Sequence, residues 1–346
     1  MRRPLRRFLG RSLAALVAFA LCTPLSACGF LGIGGDADIQ IYSARHYDLE
    51  KAFEKWEEET GKSVEFIFAE DAELLQRLKT EGADSPADIF MTVDAGNLWA
   101  AAEEGILAPV DSPVLDEAVP EAYRDSQNRW FGLALRARTV VYNPDTVDPS
   151  DFDATNTYAG LADPKWKGKL CMRGETESYT QSLIAALIDT YGRDDTLAWV
   201  KGWVANDVEV MSNDVLLLEA IDAGECEVGI SNHYYLARIL ADDPDFNAKL
   251  YWASQDGDGV MENLSGGGVV TSSDNKTDAQ ELLEWLATDG QASFIGGNHE
   301  YPVNPDVEAD EIAASFGPYK PLAIDAEAYG KLNAEATELL AEAGYK

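Results

Sequence analysis

Positively charged residues are scarce in this chain of 346 residues, which has 27 lysines and arginines against 61 aspartates and glutamates. The formal net charge is therefore −34 at pH 7. Nucleic acid and anionic lipid surfaces repel such a chain, so we exclude nucleic acid as a partner. A solvated surface that resists aggregation is the favoured interpretation of the acidity, and acidic loops that attract cations are the alternative.

Apolar runs long enough to span a bilayer are also missing. The run at residues 12–21 has only ten residues, and it follows five arginines. Leu25-Ser26-Ala27 then precedes Cys28, as in a bacterial lipobox. This order predicts an export signal at residues 1–27 and lipid attachment at Cys28. Residues 28–37 hold four glycines and are predicted to form a flexible tether. We therefore expect an exported, lipid-anchored protein, located on the outer face of the cell membrane or in the periplasm.

Cysteines number only four. Cys22 lies within the predicted signal and Cys28 takes the lipid, which leaves Cys171 and Cys226. Two cysteines in an exported protein often pair, so a disulfide is the favoured interpretation, with two separate buried thiols as the alternative. Two cysteines alone do not suggest a metal site.

Sequence motifs of catalysis are lacking as well. We find no P-loop, HExxH, GxGxxG or nucleophile motif, so the chain is not predicted to be an enzyme. Apolar residues make up 46% of the chain and charged residues 25%, which is typical of a globular protein. The length allows one large domain or two ordinary ones.

Strand and helix signals alternate along the chain. Strands are predicted at residues 39–43, 64–69, 88–93, 138–142, 169–173 and 228–231, and helices at residues 48–60, 71–80, 177–191, 214–223, 278–289 and 326–343. Asp94 is expected to begin a further helix, and the glycines at 266–268 to mark a chain reversal. The rhythm predicts an α/β fold of two lobes with mainly parallel strands. In such a fold the ligand lies between the lobes, at the carboxyl ends of strands.

Tyrosines occur in three loops that follow predicted strands. His46 and Tyr47 follow the first strand, Tyr179 follows a later one, and His233-Tyr234-Tyr235 follows residues 228–231. Phenolate oxygens are hard anionic donors that suit a hard, highly charged cation such as Fe³⁺. Each tyrosine pair alone is more often structural, but three such loops in two lobes favour a ferric site.

Six segments carry a resemblance to a known family. They are residues 41–47, 87–98, 135–143, 168–173, 181–186 and 232–238, and the Arg45-His46-Tyr47 and Asn232-His233-Tyr234-Tyr235 runs are the most specific. Over residues 38–346 the sequence resembles the periplasmic ferric-iron-binding proteins of ABC importers, a branch of the transferrin-like solute-binding proteins. The resemblance implies a type II periplasmic-binding-protein fold with mixed sheets flanked by helices. We expect one lobe at residues 38–135 plus 268–313 and the other at 136–267 plus 314–346.

The same resemblance implies a ligand set. His46, Tyr47, Tyr179, Tyr234 and Tyr235 match the metal ligands, and His46 binds only in some states. Arg138 matches an arginine that holds a synergistic anion such as carbonate in part of the family, and Arg138 or Arg238 would offset the phenolate charge. His233 replaces a common threonine; a sixth donor is conceivable there, but a role facing the backbone or the solvent is favoured.

The function implied is capture of Fe(III) and its delivery by a monomer to an ABC permease and its ATPase. Three alternatives remain open at this point. The first is a solute-binding protein for a polyamine, thiamine or an oxyanion, the second an enzyme on the same scaffold, and the third a structural lipoprotein.

Overall fold

The protein is described here by a computed structural model that covers residues 37–45 and 50–346. The predicted signal, residues 28–36 of the predicted tether with Cys28, and the residues His46 and Tyr47 lie outside the described residues. Among the helices of the described ranges, none has the length and apolarity that a membrane span requires.

The described residues contain ten strands. They are β1 Ile39–Ser43, β2 Val64–Phe68, β3 Ile89–Thr92, β4 Phe131–Tyr142, β5 Leu170–Arg173, β6 Glu209–Met211, β7 Val228–Asn232, β8 Lys249–Tyr251, β9 Met261–Val269 and β10 Tyr301–Pro302.

The same ranges contain fourteen α-helices. They are α1 Glu50–Thr60, α2 Asp71–Glu81, α3 Ala95–Glu103, α4 Pro113–Ala118, α5 Thr157–Gly160, α6 Ser178–Tyr191, α7 Arg193–Ala205, α8 Asp214–Asp222, α9 His233–Asp242, α10 Lys276–Ala287, α11 Gln291–Gly296, α12 Glu311–Ser315, α13 Glu327–Lys331 and α14 Asn333–Ala343.

The strands form one mixed sheet in the order β2-β1-β3-β9-β4-β7-β5-β6, with β8 and β10 also paired to β4. Strands β1, β2 and β3 are parallel, as are β5, β6 and β7. Strands β4 and β9 run antiparallel to their neighbours and join the two parallel groups. The α/β class with helices flanking mixed strands is confirmed, but the expectation of mainly parallel strands fails for β4 and β9.

Strand β4 is longer than the sequence predicted, because its twelve residues are all buried. Its first part pairs with β9 and its last five residues pair with β7. Buried residues on both faces leave no alternation of polar and apolar positions, which explains why only its second half was recognised. This strand carries Arg136 and Arg138 through the middle of the sheet.

The glycines Gly266, Gly267 and Gly268 do not form the expected chain reversal, since they lie inside β9. A Cβ atom on Gly266 would lie 2.4 Å from the carbonyl oxygen of Phe131, and one on Gly268 would lie 2.4 Å from that of Arg129. Glycine is required here because a neighbouring backbone approaches closely. Glycine within a strand often marks such a contact and not a turn.

A disulfide joins Cys171 on β5 to Cys226, which lies just before β7, with 5.9 Å between their Cα atoms. Glu209 lies close to both sulfurs, but paired cysteines have no free thiolate to offer a metal. The disulfide therefore staples two neighbouring strands of the sheet beneath the loops that follow them.

Candidate metal centre

Tyrosines lie at the carboxyl ends of two neighbouring parallel strands. Strand β5 leads into α6, whose second residue is Tyr179, and β7 leads directly into α9, whose second and third residues are Tyr234 and Tyr235. Because β5 and β7 pair in parallel, both helices begin at the same edge of the sheet. The structure thus brings together three tyrosines that are up to 56 residues apart in the chain.

The phenolic oxygens of Tyr179 and Tyr234 lie 3.5 Å apart. The ring centroids of Tyr234 and Tyr235 are 4.2 Å apart, and Tyr234 is only 1% exposed. Neighbouring donor oxygens around one octahedral cation with bonds of about 2 Å lie roughly 3 Å apart. The separation of the two phenols is close to what a single hard cation between them requires.

Arg136 supplies a positive charge beside these phenols. Its guanidinium carbon lies 5.1 Å from the centre of the Tyr179 ring, and the residue is 1% exposed. Its amino groups donate to the Ser265 hydroxyl at 3.2 Å and to the Leu264 carbonyl at 3.1 Å. Within the part of the chain that the structure describes, no carboxylate forms a salt bridge with it. A buried guanidinium paired only with neutral groups attracts negative charge to its surroundings.

Burial raises the pKa of Tyr234 well above its ordinary value, and the neighbouring Tyr179 and Tyr235 raise it further. The charge of Arg136 acts in the opposite direction and lowers that pKa. The phenol of Tyr234 therefore stays protonated near neutral pH, and a strong cation is needed to displace its proton.

Arg138 has a carboxylate partner, unlike Arg136. Its guanidinium forms a salt bridge of 3.0 Å with Asp214, and the second oxygen of Asp214 lies 2.7 Å from Arg173. Arg138 still lies 5.7 Å from the centre of the Tyr179 ring. Asp214 thus neutralises part of the charge that Arg138 would offer the phenolates. Arg136 forms no salt bridge among the described residues, although the carboxylates of Glu300 and Asp94 act on its charge.

Both ring nitrogens of His233 are engaged by the backbone. The amide of Ala137 donates to Nδ1 at 3.1 Å, and Nε2 lies 3.1 Å from the carbonyl oxygen of His299, to which its N–H can donate. Burial lowers the pKa of His233 to about 3, so the ring is neutral. A histidine held this way has no lone pair free for a metal, which agrees with the favoured expectation of a role facing the backbone.

His46, Tyr47 and Arg238 are the remaining residues that the sequence predicts for the site. His46 and Tyr47 lie outside the described residues, but the preceding Arg45 is buried, forms a salt bridge with Glu300 and stacks 4.1 Å from the centre of the Phe294 ring. Arg238 lies one turn beyond Tyr234 on α9 and is partly buried. The side chain of Arg45, one residue before His46, is therefore held in place.

Arg136 and Asp214 are the two residues of the site that the sequence did not single out. Arg136 could have been found from its spacing to Arg138, because residues two apart on a strand point to the same face. Asp214 carried no such signal: it begins a helix, where an acidic residue is ordinary.

Comparison with known proteins agrees with this architecture. Residues 40–293 match the bacterial extracellular solute-binding protein family. Iron uptake protein A1 of Synechocystis is 39% identical over 322 residues, covering 90% of this chain and 89% of that protein. The Fe(3+)-binding periplasmic protein of Serratia marcescens is 30% identical and covers 95% of this chain and 96% of its own length. These relatives are named for iron uptake or binding and not for catalysis.

Solved structures point the same way. A Trichodesmium FutA in complex with iron and citrate superimposes with a TM-score of 0.84 and 40% identity, covering 89% of this chain and 99% of that one. A ferric binding protein from Campylobacter jejuni gives a TM-score of 0.83 and 33% identity, with 89% and 100% coverage. With its fold, its tyrosine-lined strand ends and these likenesses, the chain belongs to the bacterial extracellular solute-binding proteins.

Proposed function

We propose that this protein is a lipid-anchored binding protein that captures ferric ion through tyrosine ligands and delivers it to an ABC permease with its ATPase. The observation that carries the proposal is the pair of phenolic oxygens 3.5 Å apart, with the buried guanidinium of Arg136 beside them. The iron uptake and ferric-binding names of the relatives support the choice of metal.

Capture begins on the phenols that the structure places together. Tyr179, Tyr234 and Tyr235 bind the ion first, and each loses its proton because a 3+ ion stabilises the phenolate. Tyr47, and His46 in some states, then complete the ligand set from the loop after β1 as the lobes close. Four phenolates around a 3+ ion leave one net negative charge, which the guanidinium of Arg136 offsets.

A small anion such as carbonate is the proposed occupant of any coordination position that His46 leaves open. Citrate in the Trichodesmium complex supports a carboxylate or carbonate in that role. Iron titrations without bicarbonate and with added bicarbonate distinguish a site that needs an anion from one that His46 completes. Added bicarbonate raises the iron affinity of the anion-dependent site alone.

Release follows when the permease separates the lobes. Opening withdraws Tyr47, and protonation of the remaining phenolates or reduction of the iron then weakens the ligands that are left. Export and lipid attachment at Cys28 keep the protein beside its permease. Replacing Cys28 with alanine and fractionating cells tests that part: the protein should leave the membrane fraction.

A visible absorption titration of the lipid-free protein with ferric citrate tests the central claim. Ferric ion bound to phenolate gives a charge-transfer colour that carboxylate and imidazole ligands do not give. We expect the colour to saturate near one equivalent, to vanish in a Tyr234→Phe/Tyr235→Phe variant, and to persist in a Tyr191→Phe control. A colourless wild-type titration without retained iron rejects the proposal and directs the search to polyamines, thiamine and oxyanions.

A further inference from the structure

The Asp94 carboxylate makes contacts beyond those that capping a helix requires. It is 3% exposed, and its Oδ1 accepts from the Gly96 amide at 2.8 Å, which caps α3. Its Oδ2 accepts from the Asn263 side-chain amide at 2.6 Å and from the Ser182 hydroxyl at 2.5 Å. We call Asp94, Ser182 and Asn263 the Asp94 brace. One carboxylate oxygen is enough for a cap, so the second needs another explanation.

The brace links elements that belong to the two parallel groups of strands in the sheet. Asp94 ends the loop after β3, which belongs to the parallel group of β1, β2 and β3. Ser182 lies on α6, which follows β5 in the other parallel group, one turn beyond Tyr179. Asn263 lies on β9, the strand that pairs with β3 and β4. The hydroxyl of Ser182 therefore ties α6, near the turn that carries Tyr179, to the loop after β3.

Burial makes this arrangement demanding. Ser182 is 1% exposed and Asn263 is 6% exposed, and no lysine or arginine of the described ranges forms a salt bridge with Asp94. A buried carboxylate without a cationic partner depends on every hydrogen-bond donor around it. Loss of the Ser182 hydroxyl would leave one acceptor position of that carboxylate empty, so α6 and α3 would separate or admit water.

We propose that Asp94 is a positioning residue for the iron site: through Ser182 it fixes the first turn of α6, and with it the phenol of Tyr179 beside that of Tyr234. This inference rests on the proposed ferric function. In this inference Asp94 is not a ligand, and it acts on the ion through the placement of Tyr179.

The test compares Ser182→Ala with Thr190→Ala on the same helix. Thr190 donates its hydroxyl to the Ala186 carbonyl at 2.9 Å, so the control also loses one hydrogen bond, but that bond stays within α6. Iron-loaded proteins are mixed with a competing chelator, and the decay of the charge-transfer colour gives the dissociation rate. We expect Ser182→Ala to release iron about tenfold faster, as loss of a hydrogen bond to a charged group implies, and to shift the absorption maximum. The Thr190→Ala control should match wild type in both.

Asp94→Asn is the second variant, because asparagine keeps the helix cap but cannot accept from both Ser182 and Asn263. It should also speed release, and the Ser182→Ala/Asp94→Asn double variant should be no faster than the faster single variant. Folded variants with the wild-type release rate and spectrum, or strictly additive effects, would overturn the inference. If wild type itself stays colourless, the ferric proposal fails instead, so the two failures are distinguishable.

Discussion

The phenolic oxygens of Tyr179 and Tyr234 lie 3.5 Å apart, although 55 residues separate them in the chain. Neither residue could bring the other into place alone. Strands β5 and β7 pair in parallel, so the helices that follow them start side by side at one edge of the sheet.

Replacing Tyr179 with phenylalanine should weaken iron binding by about 100-fold or more, since it removes one anionic ligand and keeps the ring. The phenyl ring can still stack beside Arg136, so the apo protein should unfold at nearly the wild-type temperature. Competition with a chelator of known affinity measures the change. Tyr191→Phe is the matched control outside the cluster, and equal affinity of the two variants would remove Tyr179 from the ligand set.

Arg136→Met should lower iron affinity by about 10- to 100-fold, the usual effect of losing a group that supports the ligands. Its guanidinium offsets the phenolate charge, which methionine cannot do. Arg136→Lys keeps a positive charge without the planar fork, so its affinity should fall between those of the methionine variant and wild type. Arg193→Gln, remote from the cluster, serves as control. Wild-type affinity in Arg136→Met would assign the counter-charge to Arg138 or Arg238.

Removing the disulfide should lower stability without abolishing iron binding. The Cys171–Cys226 bond closes a loop of 55 residues, for which loss of the constraint on the unfolded chain costs about 2–4 kcal/mol. Urea unfolding of a Cys171→Ala/Cys226→Ala variant measures this difference, and reductant should destabilise wild type but leave the variant unchanged. Loss of the iron colour in the folded variant would show that the disulfide also shapes the tyrosine loops.

Asp71 should give the protein a stability that falls as pH rises. Burial and the nearby Asp94 raise the pKa of Asp71 to about 7, and its Oδ1 is buried without a hydrogen-bond partner among the described residues. The folded state therefore binds more protons than the unfolded state between about pH 4 and pH 7, so ionising Asp71 costs stability across that range.

Asp71→Asn removes this cost. The free energy of unfolding of this variant, relative to that of wild type, should increase by about 1–2 kcal/mol between pH 5 and pH 8. This figure is already reduced to allow for the partial exposure of Asp71. Urea unfolding at both pH values checks the sign. Asp84→Asn, at an exposed position, is the matched control. A relative stability of Asp71→Asn that declines as pH rises would contradict the raised pKa of Asp71.

Local patterns predicted much of the fold. The strand Ile39–Ser43 has its predicted bounds, and Asp94 caps α3 through its side chain as expected. The predicted helix at 326–343 is instead two helices, α13 and α14, because Leu332 leaves the helical conformation. Patterns of a few residues identify elements well, but they do not show where a buried element continues or bends.

The candidate site was predictable in its residue types and in part of its geometry. Tyrosines after strands had a chemical reason to be chosen, and the structure brings Tyr179, Tyr234 and Tyr235 together. Iron ligation by these residues, and by His46 and Tyr47, stays a prediction. The role of Arg136 could not be read from the sequence, because it depends on forming no salt bridge among the described residues, whereas Arg138 pairs with Asp214.

The acidic charge, the α/β class and the positions of tyrosines directly after strands can be read from the amino-acid sequence, and so can the predicted export and lipid-attachment signals. These are properties of composition and of short windows of neighbouring residues. The three-dimensional fold is needed to show that Arg138 pairs with Asp214, that backbone groups occupy both ring nitrogens of His233, and that Ser182 reaches Asp94. Those outcomes depend on burial and on partners that are far apart in the chain, so no local pattern contains them. Asp94 and Ser182, for example, are 88 residues apart.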